Sequence, residues 1–471
     1  MDNQLWTWTA CDIVDGLERK DISQLEVLDG LEERCFEVNP LINALPTFCF
    51  DRARDSVRKS LATLPKAKPL TGLPVPIKDS YAVEGIRTTF GSVAFKDFVP
   101  SHSDLVTLTI ENSGGIIYAK SNTPEFEAGA STFNEVFGIT RNPWNTSKSV
   151  AGSSGGAAAS IASGMAFIAQ GSDFACSVRY PASFCGVVGL RPTPGLIPQG
   201  PNRFPYQTLS VIGPLARNVK DVGLAMDSMV RFDVRDPLTR PSTENGYRTA
   251  ASQPVKPSRV GFSLDMGGLA IISSEVRRVV MSAVAKIERA GVELVLSCPD
   301  MSESENAFRP LRAAQFAALW SHVLEKNPDL LKPEVVWNIE QGLVLTSSNI
   351  ADAENKRRRV RTNLLDFLDI NEFLILPTAP VSANAAEDRF VKEINGTKMR
   401  DYLDWLILGY AISLTGCPAI SIPCGFSKER MPIGIQLVGK PHCEEKLLQV
   451  AAWLESLFNK QIAMPINPIS G

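Results

Sequence analysis

Residues 151–183 read AGSSGGAAASIASGMAFIAQGSDFACSVRYPAS, with an alanine-rich run between two stretches of glycine and serine. Three interpretations compete for the first of these stretches. It is a flexible linker, or the sharp turn of a serine hydrolase in which Ser154 fits the pattern G-x-S-x-G, or an active-site loop in which Ser153 and Ser154 both act. The neighbouring sequence discriminates among them.

The linker interpretation conflicts with the residues after the glycines. A Gly/Ser linker is flanked by polar sequence, whereas Ala157 to Ala169 is predicted to form a helix that is apolar almost all round and therefore buried. The glycines then stand at a helix start, where free backbone N–H groups can bind negative charge.

The hydrolase turn requires a preceding strand and, downstream, an acid and a histidine. The preceding residues 142–150, NPWNTSKSV, are polar and are predicted to be loop. Of the three histidines, His102, His322 and His442, His442 comes late enough in the sequence to serve Ser154. This interpretation is therefore the weaker one. Three separated histidines also build no metal cluster, and no metal or other cofactor is predicted.

A buried lysine can replace histidine as the base, because burial favours its neutral form. Lys78 closes the apolar run LPVPIK at the end of a predicted strand, Val75 to Ile77. A lysine at the end of a strand is, however, more commonly exposed at the surface than buried. Ser56 and Lys59 form an S-x-x-K pair, but they lie in a charged stretch that is predicted to be an exposed helix.

In the second small-residue stretch, residues 171–183, Asp173 and Arg179 bracket Ser177. One interpretation is a structural ion pair that holds a loop. The other is that successive N–H groups of residues 174–177 form an oxyanion hole.

Periodicity predicts the fold class. Helices are expected over residues 9–60, 274–290 and 444–457, with strands at 116–119, 260–264, 292–297, 373–378, 419–424 and 433–439. Alternating strands and helices predict an α/β fold with a mixed sheet. The polar stretch 230–260 is predicted to be a surface excursion.

Bulk composition excludes several classes of partner. With 471 residues, 44% of them apolar, and a net charge of −3, the chain has no general attraction for nucleic acid. The basic run 356–361 is predicted to be the solvated face of a helix. Nine cysteines without paired spacing indicate reduced thiols and a cytoplasmic protein. Neither a signal peptide nor an 18-residue apolar run is evident, so no membrane partner is expected.

Residues 151–183 resemble the signature segment of the amidase signature family, which runs G-G-S-S-G-G, a helix, then G-[ST]-D-x-G-G-S-[IV]-R-x-P-[AS]. Further resemblances come in the family's order over nearly the whole chain: VNPLINAL (38–45), GLPVPIKDS (72–80), AKSNTPEF (119–126), LPTAP (376–380), TGCPAISIPCGF (415–426) and PIGIQLVGKPHCEEKLLQVAAWLE (432–455).

The resemblance implies one large α/β domain over residues 1–471, with a central mixed, twisted sheet covered by helices on both faces. Within it, residues 1–65 would supply N-terminal helices and residues 66–230 the catalytic core. Residues from about 231 to 370 would shape the substrate site, and residues 371–471 would complete the core.

It also implies a mechanism of amide hydrolysis through an acyl-enzyme. Lys78 falls on the family's base, Ser153 on its relay serine with a cis peptide bond, and Ser177 on its nucleophile. The oxyanion would be held by the backbone N–H groups of Phe174, Ala175, Cys176 and Ser177. Support is expected from Ser154, Asp173 and Arg179.

Two departures from the family pattern stand out. Ala175-Cys176 replaces Gly-Gly before the nucleophile, which would add strain if either position needs a positive φ. The expected consequence is a narrowed acyl pocket lined by Cys176, and the alternative is a harmless exchange of small residues. Val150-Ala151-Gly152 replaces P-G-G and should stiffen the loop.

The substrate is predicted from fewer residues. Tyr180 stands where tRNA-amidating members commonly have Gln, which favours a stand-alone hydrolase. An amide with an aryl or other apolar acyl group is expected, in a chain that acts alone or as a homodimer. The alternatives are the glutaminase (A) subunit of a tRNA-dependent amidotransferase and a non-catalytic binding module. Candidate pocket residues, each of which could instead pack in the core, are Tyr180, Phe204, Tyr206, Phe316, Trp320 and Trp337.

Overall fold

The computed structural model describes residues 4–62, 68–201, 204–240, 246–458 and 466–471. Helices in chain order are α1 (Ala10–Arg19), α2 (Gln24–Ile42), α3 (Phe50–Ala62), α4 (Leu105–Asn112), α5 (Gly155–Ala162), α6 (Arg179–Cys185), α7 (Val219–Met229), α8 (Tyr247–Ala251), α9 (Ser274–Arg289), α10 (Ser304–Lys326), α11 (Pro333–Leu343), α12 (Ser347–Ile370), α13 (Ile407–Thr415) and α14 (Glu444–Phe458).

Strands in chain order are β1 (Thr47–Phe48), β2 (Pro74–Lys78), β3 (Ile116–Ser121), β4 (Phe133–Asn134), β5 (Gly138–Ile139), β6 (Arg141–Asn142), β7 (Asn145–Ser149), β8 (Ile168–Asp173), β9 (Val188–Arg191), β10 (Val211–Ala216), β11 (Arg259–Phe262), β12 (Glu293–Leu296), β13 (Phe373–Pro377), β14 (Glu393–Ile394), β15 (Thr397–Lys398), β16 (Ala419–Phe426) and β17 (Pro432–Val438).

An eight-stranded sheet in the order β12-β11-β13-β17-β16-β9-β10-β8 is the centre of the molecule. The pairs β11–β12 and β11–β13 are parallel, and the remaining pairs are antiparallel. Helices flank the sheet, and the central strands β13 and β17, whose residues are predominantly apolar, are buried along their whole length. The predicted α/β fold with a mixed sheet is confirmed, while the division into four segments stays a prediction.

A smaller sheet, β1-β3-β2, carries the lysine of interest. Its strands β2 and β3 run parallel, with Lys78 paired to Ser121 at the end of the register. The N-terminal helices α1 and α2 begin at the capping boxes of Thr9 and Ser23. In each box the hydroxyl of the N-cap residue accepts a hydrogen bond from the backbone N–H of the third helical residue, Asp12 or Glu26. The carboxylate of that residue accepts a hydrogen bond from the backbone N–H of the N-cap in return.

Two local predictions were wrong. The helix expected from Ala157 to Ala169 ends at Ala162, because Gly164 adopts a φ of 76°, and Ile168 and Ala169 already belong to β8. Runs of small apolar residues suit a buried helix and a buried strand equally well. The stretch 142–150, which was expected to be loop, contains β7 and the end of β6, and these two strands pair as a short antiparallel hairpin.

The basic run on α12 is only partly solvated. Arg357 Nε donates to Leu414 O (2.9 Å), and Arg361 Nη1 donates to Thr415 O, so both side chains satisfy carbonyls at the end of α13. Carbonyls in the last turn of a helix lack partners within the helix, and these two arginines supply them. The basic run is therefore not simply the solvated face that the sequence predicted. Within the described ranges, no helix combines the length and apolarity that a membrane span requires.

Candidate active site

Lys78 is fully buried at the end of β2, and its amine is the centre of a polar cluster. Lys78 Nζ donates to Ser153 Oγ at 2.6 Å and to Ser172 Oγ at 2.9 Å. Its third contact is the carboxylate of Glu127, whose Oε1 lies 2.7 Å away. The backbone N–H of Lys78 donates to Gln170 Oε1 (3.0 Å), which ties β2 to β8.

Ser153 lies in the turn that precedes α5, and the Gly152–Ser153 peptide bond is cis. The turn approaches the neighbouring chain segment closely, because a Cβ at Gly156 would lie 2.4 Å from Asn122 N. Position 156 therefore requires glycine, because any side chain would clash with the backbone of Asn122. Ser154 N donates to Ser177 O (3.0 Å), and Ser154 Oγ accepts from Ser172 N (3.2 Å), so Ser154 links the two loops.

Ser177 lies between β8 and α6 with 8% of its surface exposed. The hydroxyl of Ser177 forms no hydrogen bond with another described residue, so the contact with Ser153 that a relay needs stays a prediction. The backbone contact from Ser154 nevertheless holds the two serine loops side by side.

Asp173 and Arg179 form a buried, bidentate ion pair beneath this loop. Arg179 Nε and Nη2 donate to the Asp173 carboxylate at 3.0 and 2.9 Å, and Arg179 Nη2 also donates to Ala175 O at 2.7 Å. Burial alone would raise the pKa of Asp173, but the guanidinium groups of Arg179 and Arg191 lower that pKa to about 2. The carboxylate is therefore ionised and fixes the loop that carries Ser177.

Two opposing effects act on the amine of Lys78. Burial lowers the pKa of Lys78, because the charged form loses its water, whereas the carboxylate of Glu127 raises it. Burial dominates, so the net pKa of Lys78 is lowered and the neutral amine becomes accessible. Glu127 shows the opposite balance. Burial alone would raise its pKa, but Lys78 and the hydroxyl of Ser172 outweigh burial and lower that pKa.

A cavity of about 460 Å³ opens beside this cluster. Glu127 and Phe174 belong to both its wall and the loops of the polar cluster, whereas Lys78, Ser153 and Ser177 are not among its lining residues. Eight of its lining residues are phenylalanine, tyrosine or tryptophan. The contributing rings are Tyr81, Phe90, Phe95, Phe98, Phe126, Phe174, Phe316 and Trp320.

The structure brings only some of the predicted pocket residues to this cavity. Phe316 and Trp320 line it, and Trp320 stacks on Phe126 with ring centroids 4.0 Å apart. The other four predicted residues are not among those that line the cavity. Tyr180 packs in the core against Trp405, and Trp337 packs edge-on to Tyr402. Phe204 and Tyr206 lie at the surface, 43% and 76% exposed.

Cys176 also departs from expectation. It is fully buried and outside the cavity wall, because its side chain packs against Gly409 of α13. A Cβ at Gly409 would lie 2.4 Å from the Cβ of Cys176, so the glycine makes room for the cysteine. Neither Ala175 nor Cys176 has a positive φ, and the strain that these side chains would cause there does not arise.

Sequence reasoning missed Glu127 and Ser172. Ser172 Oγ donates to Glu127 Oε1 at 2.6 Å, which closes the cluster around the amine. Glu127 directly follows the stretch AKSNTPEF, and an acidic residue beside that motif was the available signal. Only the fold shows that it meets Lys78, because 49 positions separate the two in sequence.

Comparisons with known proteins agree on the family. The family model described as Amidase matches residues 26–448. The chain is 34% identical to the A subunit of the glutamyl-tRNA(Gln) amidotransferase of Prochlorococcus marinus (strain MIT 9313), over 94% of this chain and 96% of that protein.

Solved structures give the same answer for the fold. A 6-aminohexanoate cyclic dimer hydrolase complexed with substrate superposes with a TM-score of 0.87 at 26% identity, covering 99% of both chains. A bacterial aryl acylamidase of the amidase signature enzymes superposes with a TM-score of 0.89, covering 96% of both chains. At 23% identity, that second likeness supports the fold alone.

Proposed function

Because the chain belongs to the amidase signature family, we propose that it hydrolyses a small carboxylic amide, with Ser177 as nucleophile and Lys78 as base. The observation that carries this proposal is the 2.6 Å contact between Lys78 Nζ and Ser153 Oγ in a fully buried setting. A neutral amine there accepts the Ser153 proton, and Ser153 can in turn accept the proton of Ser177.

The chemistry then proceeds in two halves. Ser177 Oγ attacks the amide carbon, and the oxyanion is held by N–H groups of residues 174–177. The proton returns through Ser153 to the leaving amine as the C–N bond breaks, which leaves an ester on Ser177. Water, deprotonated along the same route, hydrolyses that ester and regenerates the hydroxyl. The aromatic cavity supports an aryl or other apolar acyl group.

A second candidate is the glutaminase component of a tRNA-dependent amidotransferase. It is supported by full-length similarity, at 34% identity, to the A subunit of such an enzyme. The position of Tyr180 no longer counts against it, because that side chain lies in the core. Glutamine hydrolysis that appears only with a companion protein would favour this candidate. A non-catalytic binding module is the weakest alternative, since Lys78, Ser153 and Ser177 are all present.

The proposal is tested by ammonia release from a panel of aryl, alkyl and ureido amides, with glutamine included. Ser177→Ala and Lys78→Ala should each reduce kcat by at least about a thousandfold, while Ser252→Ala, an exposed serine at the end of α8, should not. Circular dichroism confirms that the variants fold. Turnover by Ser177→Ala at the parent rate would exclude Ser177 as the nucleophile.

A further inference from the structure

Arg312 is a buried cation in the cavity wall. It lies in the middle of α10 with 4% of its surface exposed. Its guanidinium carbon lies 5.0 Å from the ring centroid of Phe174 and 4.5 Å from that of Phe316. Arg312 Nε and Nη2 donate to the Tyr402 hydroxyl at 3.2 and 2.8 Å. Two rings and a hydroxyl therefore hold the group in place.

The charge of Arg312 has no acidic partner in the described part of the chain. Its Nη1 group forms no hydrogen bond with a described residue. A buried guanidinium is costly without a carboxylate, and most are paired. Neither of the two carboxylates in the cavity wall serves it. Glu127 is bound to Lys78, and Asp104 accepts from Ala82 N at 2.8 Å.

Asp104 is also a poor counter-charge for electrostatic reasons. Burial raises the pKa of Asp104 to about 6, so its charge is itself unfavourable where it lies. The cavity wall therefore presents one fixed positive charge that the described residues leave uncompensated. An anion entering the cavity would supply the missing partner in a bidentate or forked geometry, which suits carboxylates.

The position of Arg312 relates this charge to the reaction. Phe174, the ring beneath the guanidinium, follows Asp173 directly and precedes Ser177 by three residues. The stacked rings of Phe126 and Trp320 form an apolar part of the same wall. A ligand that fits this wall has an apolar body and a negatively charged end.

We propose that Arg312 binds a carboxylate on the acyl part of the substrate, so that the site selects mono-amides of dicarboxylic acids with an apolar spacer. This inference rests on the proposed amidase function. It assigns Arg312 to specificity, because the guanidinium binds the charged end of the acyl chain while Ser177 acts on the amide end.

The test compares charged and neutral amides of matched shape. Succinamic, glutaramic and adipamic acids are each paired with the amide in which an isopropyl group replaces the carboxylate, and ammonia release gives kcat/KM. The parent enzyme should prefer the charged member for at least one spacer length. Arg312→Gln should lower that preference by about tenfold or more, mainly through KM, whereas Lys326→Gln, an exposed charge on the same helix, should not.

A second readout separates this inference from the proposed function. Glutarate and adipate, the product diacids, should raise the Tm of the parent and of Ser177→Ala, but not that of Arg312→Gln. If the panel shows no hydrolysis while this stabilisation is seen, the function fails and the anion site stands. Equal preference in parent and Arg312→Gln, or equal stabilisation by the diacids, would overturn the assignment of Arg312.

Discussion

Glu127→Gln is the substitution that most sharply probes the amine of Lys78. Glutamine keeps the shape of the side chain and its contacts with the cluster, but it removes the negative charge 2.7 Å from Nζ. Without that charge, burial and the more distant Asp173 carboxylate remain as the effects on the lysine pKa, and burial is the larger. The neutral amine should therefore be populated at lower pH.

The structure gives the scale of this effect. Coulomb's law gives about 6 kcal/mol for unit charges at 2.7 Å and an effective dielectric constant of about 20. Solvent reduces this value, because 24% of the Glu127 side chain is exposed. A tenfold change in protonation corresponds to about 1.4 kcal/mol. We expect the acidic limb of the kcat/KM profile to move down by about one pH unit or more.

The assay is the pH dependence of kcat/KM on the best amide of the panel. Glu125→Gln is the matched control, because Glu125 lies two residues away and accepts from Ser92 Oγ and Lys332 N instead. Its profile should keep the midpoint of the parent. An acidic limb that stays in place in Glu127→Gln, or that moves to higher pH, would refute the coupling between Glu127 and the base.

Three further predictions concern the packing and the buried charges. Gly409→Ala should destabilise the fold by about 1–3 kcal/mol, because its Cβ would lie 2.4 Å from the Cβ of Cys176 and 2.7 Å from Ala175 O. Adding Cys176→Gly should recover part of this loss in urea unfolding, since it removes the first contact and leaves the second; no recovery would contradict the contact with Cys176. Asp173→Asn should cost roughly 3–5 kcal/mol, because it leaves two buried guanidinium groups unpaired, and an unchanged unfolding midpoint would count against that. Burial raises the pKa of Glu455 from 4.5 to about 8, so the stability that this group contributes below pH 4.5 is lost as the pH rises towards 8. Glu455→Gln still accepts the hydrogen bond from Val219 N but carries no charge, so it should raise Tm more at pH 9 than at pH 5. Equal gains in Tm at the two pH values would contradict this prediction.

Sequence patterns predicted five of the eight strands of the central sheet, β11, β12, β13, β16 and β17, and missed β8, β9 and β10. Runs such as FLILP and IGIQLV are rich in large apolar residues, so a buried strand fits them best. The alanine-rich run from 157 to 169 carries no such preference, and the break at its one glycine, Gly164, depends on backbone geometry. The sequence also could not tell which aromatic residues line the cavity. Trp320 and Tyr180 were both predicted to do so, but Trp320 lies in the cavity wall and Tyr180 in the core.

The predicted site residues and the missed ones differ in how they can be recognised. Lys78, Ser153 and Ser177 lie in short motifs that resemble a family pattern. Glu127 and Arg312 matter because of the groups they touch, and their partners are distant in sequence. Charge on a turn or on an amphipathic helix is usually solvated. Only the three-dimensional structure distinguishes these two from the many exposed charges of the chain.

Trapping the acyl-enzyme is the most direct test of Ser177 as the nucleophile. An activated aryl ester of an accepted acyl group is mixed with the enzyme, quenched in acid, digested and analysed by mass spectrometry. The proposed mechanism predicts one added acyl group on the peptide that contains Ser177, with no adduct in Ser177→Ala. An adduct on Ser154, as the G-x-S-x-G pattern would have it, or an undiminished adduct in Ser177→Ala, would contradict it.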